Sequence, residues 1–197
     1  IITQIDLSLG DLHATELNFA ENLPSKISGH VCYVVTGMDC DSADSVKAPQ
    51  ANVLIELLDS SGKVVGSTRT ATDGTYSFTE LRAGQYTVRQ TNATGMIDGD
   101  AHVGSIGGNA TDANNITRII LVGGSNAINY DFCDLVPAEI SGHTYFDANN
   151  NGRRDTGEAP LTNVAVQLRD SSGTIIASQN TDAQGFYSFK NVRPGVY

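Results

Sequence analysis

An internal repeat limits the fold of this chain more than any other feature of its sequence. The string I-S-G-H occurs at Ile27–His30 and again at Ile140–His143, an offset of 113 residues. Further along, N-V-L-I-E-L-L-D-S-S-G from Asn52 matches N-V-A-V-Q-L-R-D-S-S-G from Asn163 at an offset of 111. Colinear matches of this length indicate that one structural unit is repeated along the chain.

Two further matches define the expected boundaries. Gly74–Tyr86 matches Gly185–Tyr197, and Leu17–Pro24 aligns with Tyr130–Pro137 just before each I-S-G-H string. The sequence therefore predicts closing strands of a preceding or donor module in residues 1–24, a complete module in 25–137, and the opening part of a further module in 138–197. We expect either a fragment of a longer tandem chain or a filament subunit whose first strand completes its neighbour.

Within the copies, apolar and polar residues alternate with the period of a β-strand. Val53, Ile55 and Leu57 fall on one face of one segment, and Tyr76 and Phe78 share a face of another. No long segment repeats apolar residues at helical spacing. Several short segments separated by turn signals predict an all-β fold of tandem Greek-key β-sandwich modules.

The second half of the complete module contains a long polar stretch, Asn92–Asn115, which we expect to connect two strands. It carries three N-x-T sequons, which make Asn92, Asn109 and Asn115 glycosylation candidates. The strand that closes the module is expected over 127–133. Its residues Ile128, Tyr130 and Phe132 are expected to alternate inward.

The segment 147–158 reads D-A-N-N-N-G-R-R-D-T-G-E and places oxygen donors in the order of an EF-hand calcium loop. Calcium requires six to eight oxygens, and such a loop supplies them at fixed positions around a glycine at position six. The alternative is an Asn/Asp/Gly-rich connection between strands that holds no metal. The expected calcium ligands are the side chains of Asp147, Asn149, Asn151, Asp155 and Glu158 and the backbone carbonyl of Arg153.

The matching region of the complete module is a weaker second metal candidate. Asp39, Asp41 and Asp44 remain there, but the glycine and the terminal glutamate of the loop pattern are absent. The alternative is an acidic, solvated loop.

Charge and motifs exclude several classes of function. The formal net charge is −10, and no basic stripe exists to neutralise phosphates, so we expect no nucleic-acid partner. No apolar run approaches the roughly 18 residues of a membrane-spanning helix, so we expect no span in this segment. A nucleophile elbow, a zinc ligand set and a phosphate-binding loop are missing from the sequence, so we expect no catalytic residues and no enzyme activity.

These motifs together resemble a known family. The calcium-loop string, the segments N-V-A-V-Q-L-R-D-S-S-G and T-D-A-Q-G-F-Y-S-F, and the ending P-G-V-Y are similar to the B repeat of serine-aspartate-type bacterial surface proteins. That repeat is related to the B domains of collagen adhesins, which are prealbumin-like, broadly Ig-like sandwiches. The resemblance covers Ile140–Tyr197 closely and Ile27–Pro137 more loosely. It implies a calcium-stiffened stalk module of a secreted or cell-surface protein.

The resemblance also bears on the three cysteines. In such sandwiches the first and last strands run parallel as neighbours, which would bring Cys32 beside Cys133. We therefore expect a Cys32–Cys133 disulfide, with Cys40 competing for either partner.

Two functions are consistent with these features of the sequence. The first is a structural repeat module of an extracellular stalk or fibre, stiffened by Ca²⁺. Its partners would be neighbouring copies of the module, in the same chain or in adjacent subunits. The alternative is an adhesin-type module that binds a protein or glycan, and its most suitable surface would be Asn92–Asn115.

Overall fold

The structure is a computed structural model that describes residues 23–41 and 43–197, so the closing strands expected in residues 1–24 lie almost entirely outside the described residues. None of the described residues forms a helix, and hence none forms a helix suited to crossing a membrane. The expected all-β fold is confirmed. In chain order the strands are β1 (Ser25–Thr36), β2 (Val46–Pro49), β3 (Leu54–Asp59), β4 (Val64–Arg69), β5 (Thr75–Leu81), β6 (Gly84–Thr91), β7 (Ile97–His102), β8 (Asn109–Asp112), β9 (Asn115–Leu121), β10 (Asn126–Ala127), β11 (Asp131–Leu135), β12 (Ala138–His143), β13 (Ala165–Arg169), β14 (Ile175–Asn180) and β15 (Phe186–Val192).

Strands β1 to β11 form two sheets that enclose a common core. One sheet has the order β4-β3-β6-β9-β8. In the other, β1 pairs with β5 and β10 along its first half and with β2 and β11 along its second half, and β7 lies beyond β11. Ile27, Ile55 and Phe132 are fully buried, and Tyr76 and Phe78 join this core, as expected from their alternation.

The first and last strands of this sandwich are parallel neighbours. Val31 pairs with Phe132 and Val34 with Leu135 across β1 and β11. The expectation that Ile128 points inward is wrong, because its side chain is 39% exposed. Residues 128–130 lie between β10 and β11, and positive φ at Asn129 interrupts the strand, so the alternation starts only at Tyr130.

The polar stretch Asn92–Asn115 is more regular than expected, because it contains β7 and β8. β7 pairs with β11 at a sheet edge, and β8 pairs with β9. Short edge strands carry polar side chains and leave little apolar periodicity in the sequence. That composition explains why the pattern alone indicated a connection.

The second copy repeats the pairings of the first. β12 and β15 pair in the register of β1 and β5, and β13 and β14 pair in the register of β3 and β4. The equivalent contacts are Ile27↔Phe78 and Ile140↔Phe189, Gly29↔Tyr76 and Gly142↔Tyr187, Leu54↔Arg69 and Ala165↔Asn180, and Leu57↔Gly66 and Leu168↔Ala177. The repeat in the sequence is therefore a repeat of structure.

The core of the second copy is smaller. Within the described residues 138–197, no strand corresponds to β6, β9 or β11. Leu168, Phe189 and Val192 form a buried cluster, and a cleft of about 380 Å³ opens beside them. Val166 on β13 and Tyr187 on β15 are only half-buried, whereas their counterparts Ile55 and Tyr76 in the first copy are buried. The inner faces of these strands are thus only partly covered.

Candidate metal centre and disulfide

The loop 147–158 is closed at its base by backbone contacts. Tyr145 pairs with Pro160, and the N–H of Phe146 donates to the carbonyl of Ala159 at 2.9 Å. The Tyr145–Pro160 pair corresponds to the Cys32–Pro49 pair of β1 and β2 in the first copy. An antiparallel bridge therefore holds the two ends of the loop, where an EF-hand has helices.

Asp147 organises the first half of the loop. Its carboxylate accepts hydrogen bonds from the backbone N–H of Asn151 at 3.2 Å and of Gly152 at 2.8 Å. The side-chain oxygen of Asn151 accepts from the N–H of Arg153 at 2.8 Å. Gly152 has a φ of 71°, a conformation that favours glycine and permits the sharp turn.

Asp155 and Glu158 organise the second half. The side-chain Nδ2 groups of Asn149 and Asn151 donate to Oδ2 of Asp155 at 2.8 and 2.7 Å. These two hydrogen bonds lower the pKa of the Asp155 carboxyl below its usual value. Glu158 accepts from the backbone N–H groups of Asp155 and Ala148 at 3.0 and 3.1 Å. Hydrogen bonds thus connect all five expected side-chain ligands within one loop.

This donor set is suited to a hard cation. It consists of three carboxylates and two amides, and each amide exchanges its nitrogen and oxygen by a half-turn of its terminal torsion. In the described part of the chain, no three carboxylate, histidine or cysteine groups converge as a metal cage by themselves. A cation in this loop would therefore need the amide and backbone oxygens as well, as the EF-hand pattern requires. Calcium binding remains a prediction.

The first copy holds its matching loop by a disulfide. Cys40 bonds to Cys133 with a Cα–Cα distance of 6.1 Å, and Cys32 remains free. The expected Cys32–Cys133 pairing is therefore wrong, although the two residues are direct register partners on β1 and β11. Side chains of such partners stand side by side on the sheet, whereas Cys40 reaches Cys133 from a separate loop, at a separation typical of disulfides.

The acidic residues of that loop do not form a cluster of three. The backbone N–H of Asp41 donates to Oδ1 of Asp39 at 3.0 Å, and Nε2 of His102 lies 3.4 Å from Oδ1 of Asp41. Within residues 23–41 and 43–197, no carboxylate cage includes Asp39, Asp41 and Asp44. The second metal candidate stays a prediction without a preformed geometry.

The three sequon asparagines are half-buried. Nδ2 of Asn92 donates to Oδ1 of Asp98 at 2.6 Å, and Nδ2 of Asn115 donates to Oδ2 of Asp112 at 2.9 Å. Nδ2 is also the atom to which a glycan is attached, so a glycan on Asn92 or Asn115 would replace these contacts. Glycosylation remains a prediction.

A buried carboxylate was missed in the sequence. Asp134 on β11 is 1% exposed and accepts a hydrogen bond from Nε2 of Gln90 at 2.7 Å. Burial, together with the nearby Asp98 carboxylate, raises the pKa of Asp134 to about 6, although the Gln90 hydrogen bond lowers it. The signal in the sequence was one acidic residue inside the apolar run Phe132–Val136.

The raised pKa predicts how Asp134 affects stability. The folded state binds the proton of the Asp134 carboxyl more tightly than the unfolded state does. The stability that this proton contributes is therefore fully present below about pH 4 and is lost as pH rises through about 6. In a divalent-cation chelator at pH 7.5, Asp134→Asn is therefore expected to raise the free energy of unfolding by about 2 to 3 kcal/mol, measured by urea unfolding. The difference from the parent protein is expected to disappear near pH 4. Asp131→Asn, on the same strand, controls for the change in net charge. A pH-independent difference would contradict this assignment.

Comparison with known proteins places these features in a family. A family model described as the SdrD B-like domain matches residues 37–133 and 138–197. Serine-aspartate repeat-containing protein E of Staphylococcus aureus (strain USA300) is 30% identical over 148 residues, which cover 74% of this chain and 13% of that protein. Serine-aspartate repeat-containing protein F of Staphylococcus epidermidis is 30% identical over 176 residues, 88% of this chain and 10% of that protein. The chain thus spans a small part of these relatives.

Among solved structures, the Bacillus anthracis TIE protein aligns with 86% of this chain and 27% of its own, at 19% identity and a TM-score of 0.42. A streptococcal ancillary pilin aligns with 88% of this chain at 13% identity, with the same TM-score. The two family matches together cover most of the sequence and fall on the two structural copies. This chain therefore belongs to the SdrD B-like domain family.

Proposed function

We propose that this chain is a structural spacer in an extracellular stalk or fibre, built from copies of one β-sandwich and stiffened by calcium. The register-for-register repetition of β1–β5 and β3–β4 in the second copy carries this proposal. A repeated sandwich holds a fixed distance, and its function does not require a reactive side chain. Family membership supports the same role.

The connection between the copies is short. β11 ends at Leu135 and β12 begins at Ala138, so Val136 and Pro137 alone link them. Proline restricts its own φ and that of the preceding residue, which limits hinge motion. The guanidinium of Arg193, after β15, donates to the backbone oxygen of Asp98 at 2.7 Å and so joins the two copies directly.

Calcium would act at the far end of the second copy. The loop 147–158 follows β12 at the end remote from the Val136–Pro137 link. Asp147, Asp155 and Glu158 would supply charge, and Asn149, Asn151 and the Arg153 carbonyl would supply neutral oxygens. Bound calcium would offset two of the three carboxylate charges and fix the loop for contact with the next module along the stalk.

The disulfide and the calcium loop both suit an extracellular location. Disulfides such as Cys40–Cys133 persist in oxidising compartments. Extracellular calcium modules bind with a Kd of about 10⁻⁴ to 10⁻³ M, so the ion would be bound outside a cell. We therefore place the chain at the cell surface or in a secreted fibre.

Calcium chloride is expected to slow amide hydrogen exchange across residues 148–158, because the ion would crosslink both halves of the loop. Glu158→Gln removes the bidentate ligand at position twelve and is expected to weaken binding at least about tenfold. Glu139→Gln is the matched control, since its carboxylate accepts from Ser188 Oγ at 2.6 Å in the same copy. Unchanged exchange in the parent protein on adding calcium would reject the calcium role.

Strand donation is a second candidate, favoured by the open edge of β12. In the first copy this edge of β1 is covered by β10 at Lys26 and Ile27, and by β11 farther along the strand. Leu17–Pro24 matches the β11 region in sequence. Donation between molecules would give filaments that grow with concentration. Sedimentation velocity that shows a monomer at all concentrations would eliminate it.

The adhesin alternative is not favoured. The segment Asn92–Asn115 contains no aromatic residue, and Val103 and Ile106 are its exposed large apolar side chains, each about 40% exposed. Isolated apolar groups of this kind are ordinary on a protein surface.

A further inference from the structure

Two carboxylates face each other at the end of the first sandwich. Asp134 on β11 is the direct register partner of Asp98 on β7. Like charges directly opposite each other on neighbouring strands are destabilising, and here one of the two is almost fully buried. Within the described residues neither carboxylate forms an ion pair, since Arg193 contacts only the backbone oxygen of Asp98.

Three side-chain amides surround this pair. Nε2 of Gln90 donates to Oδ1 of Asp134 at 2.7 Å and to the side-chain oxygen of Asn92 at 3.2 Å. The Nδ2 groups of Asn92 and Asn114 both donate to Oδ1 of Asp98, at 2.6 and 2.8 Å. The amides thus connect the two carboxylates in one continuous network.

Several buried oxygens in this network have no partner. Oδ2 of Asp134, Oε1 of Gln90 and Oδ1 of Asn114 are inaccessible to solvent and accept no hydrogen bond. Asp134 is 1% and Gln90 3% exposed, so water does not reach them as it reaches a surface side chain. An unsatisfied buried oxygen is costly, and an unsatisfied buried charge is more so.

A bound cation would offset the repulsion between the two carboxylates and would also coordinate the unpartnered oxygens. Calcium takes six to eight oxygens, and two carboxylates with three amide oxygens supply a set of that kind. A half-turn of each amide would replace its N–H groups by oxygen. The same pattern occurs in the loop 147–158, where Asn149 and Asn151 donate into the carboxylate of Asp155.

We propose that Asp98 and Asp134, with the amide oxygens of Gln90, Asn92 and Asn114, form a second calcium site between β7 and β11. It lies beside the link to the second copy, because Asp134 precedes Ala138 by four residues and Arg193 contacts Asp98. This site would fix the junction, whereas the loop 147–158 would fix the far end. The site shares no residue with the loop 147–158, so calcium binding at the two places can be tested separately.

The test uses the whole chain with the loop disabled by Asp147→Asn and Glu158→Gln. In this variant, NMR titration with calcium chloride at constant ionic strength is expected to give saturable shifts of the side-chain NH₂ signals of Gln90, Asn92 and Asn114. Adding Asp134→Asn is expected to weaken this binding at least tenfold. Adding Asp131→Asn, a carboxylate on the same strand that contacts the N–H of His30, is expected to leave it unchanged.

Absence of saturable shifts in the loop-disabled protein would overturn the proposal, as would binding that survives both Asp134→Asn and Asp98→Asn. Thermal melting in chelator checks that each variant is folded. Asp134→Asn removes a buried charge and is expected to melt no lower than its parent, so its loss of binding would not reflect unfolding.

Discussion

Loss of the Cys40–Cys133 disulfide is expected to lower the free energy of unfolding of the first sandwich by about 3 to 5 kcal/mol. The bond joins residues 93 positions apart, so it removes much of the conformational freedom of the unfolded chain. Cys133 and Leu135 also pack with Cys40 in a buried cluster on β1 and β11. The measurement is urea unfolding of Cys40→Ala, followed by amide signals from β1 to β11.

The free thiol determines the correct background for this experiment. Cys32 packs against the same cluster and is the register partner of Cys133, so it could pair with Cys133 once Cys40 is gone. Cys32→Ala alone is expected to change the stability by less than about 1 kcal/mol, since a half-buried side chain is shortened by one atom. Equal stability of Cys32→Ala and of Cys32→Ala with Cys40→Ala would show that the disulfide does not hold the sandwich.

Gly29→Ala is expected to destabilise the first sandwich by about 2 to 3 kcal/mol. A Cβ at Gly29 would overlap the backbone oxygen of Tyr130, which also accepts the buried hydroxyl of Tyr76. The backbone at Gly29 and the backbone at Tyr130 cannot separate unless β1 shifts away from the β10–β11 segment. Thermal melting in chelator measures this loss.

The repeat supplies the matched control. Gly142 occupies the same I-S-G-H position, but its Cβ would meet the hydroxyl of Tyr187 at 2.6 Å, the far end of a half-buried side chain. Gly142→Ala is therefore expected to cost less than about 1 kcal/mol, because that ring can rotate away. Equal losses for the two variants would contradict the assignment of close packing to the complete sandwich.

Local patterns in the sequence predicted the parts of the fold that depend on repetition and strand alternation. The offsets of 111 and 113 carry over into equal registers of β1–β5 and β12–β15, and Tyr76 and Phe78 lie in the core. Ile128 was misplaced because the chain leaves the sheet between β10 and β11, an interruption that alternation does not reveal.

The features of the site were less predictable, since they depend on contacts between distant segments. Cys40 reaches Cys133 through the path of a loop, which register between β1 and β11 cannot indicate. Gln90, Asp98 and Asp134 come from three strands, and their distance in sequence conceals the cluster. The loop 147–158 could be recognised because all its expected ligands lie within twelve residues. Their spacing along the chain therefore determines how they are arranged around a cation.

If the two copies form one rigid spacer, ¹⁵N relaxation of the whole chain in saturating calcium shows it most directly. Amides of β1 to β11 and of β12 to β15 are expected to fit one rotational diffusion tensor, as they must if the Val136–Pro137 link and the Arg193–Asp98 contact hold them together. Two independent, faster correlation times would mean that the copies tumble separately, and the spacer account would be wrong.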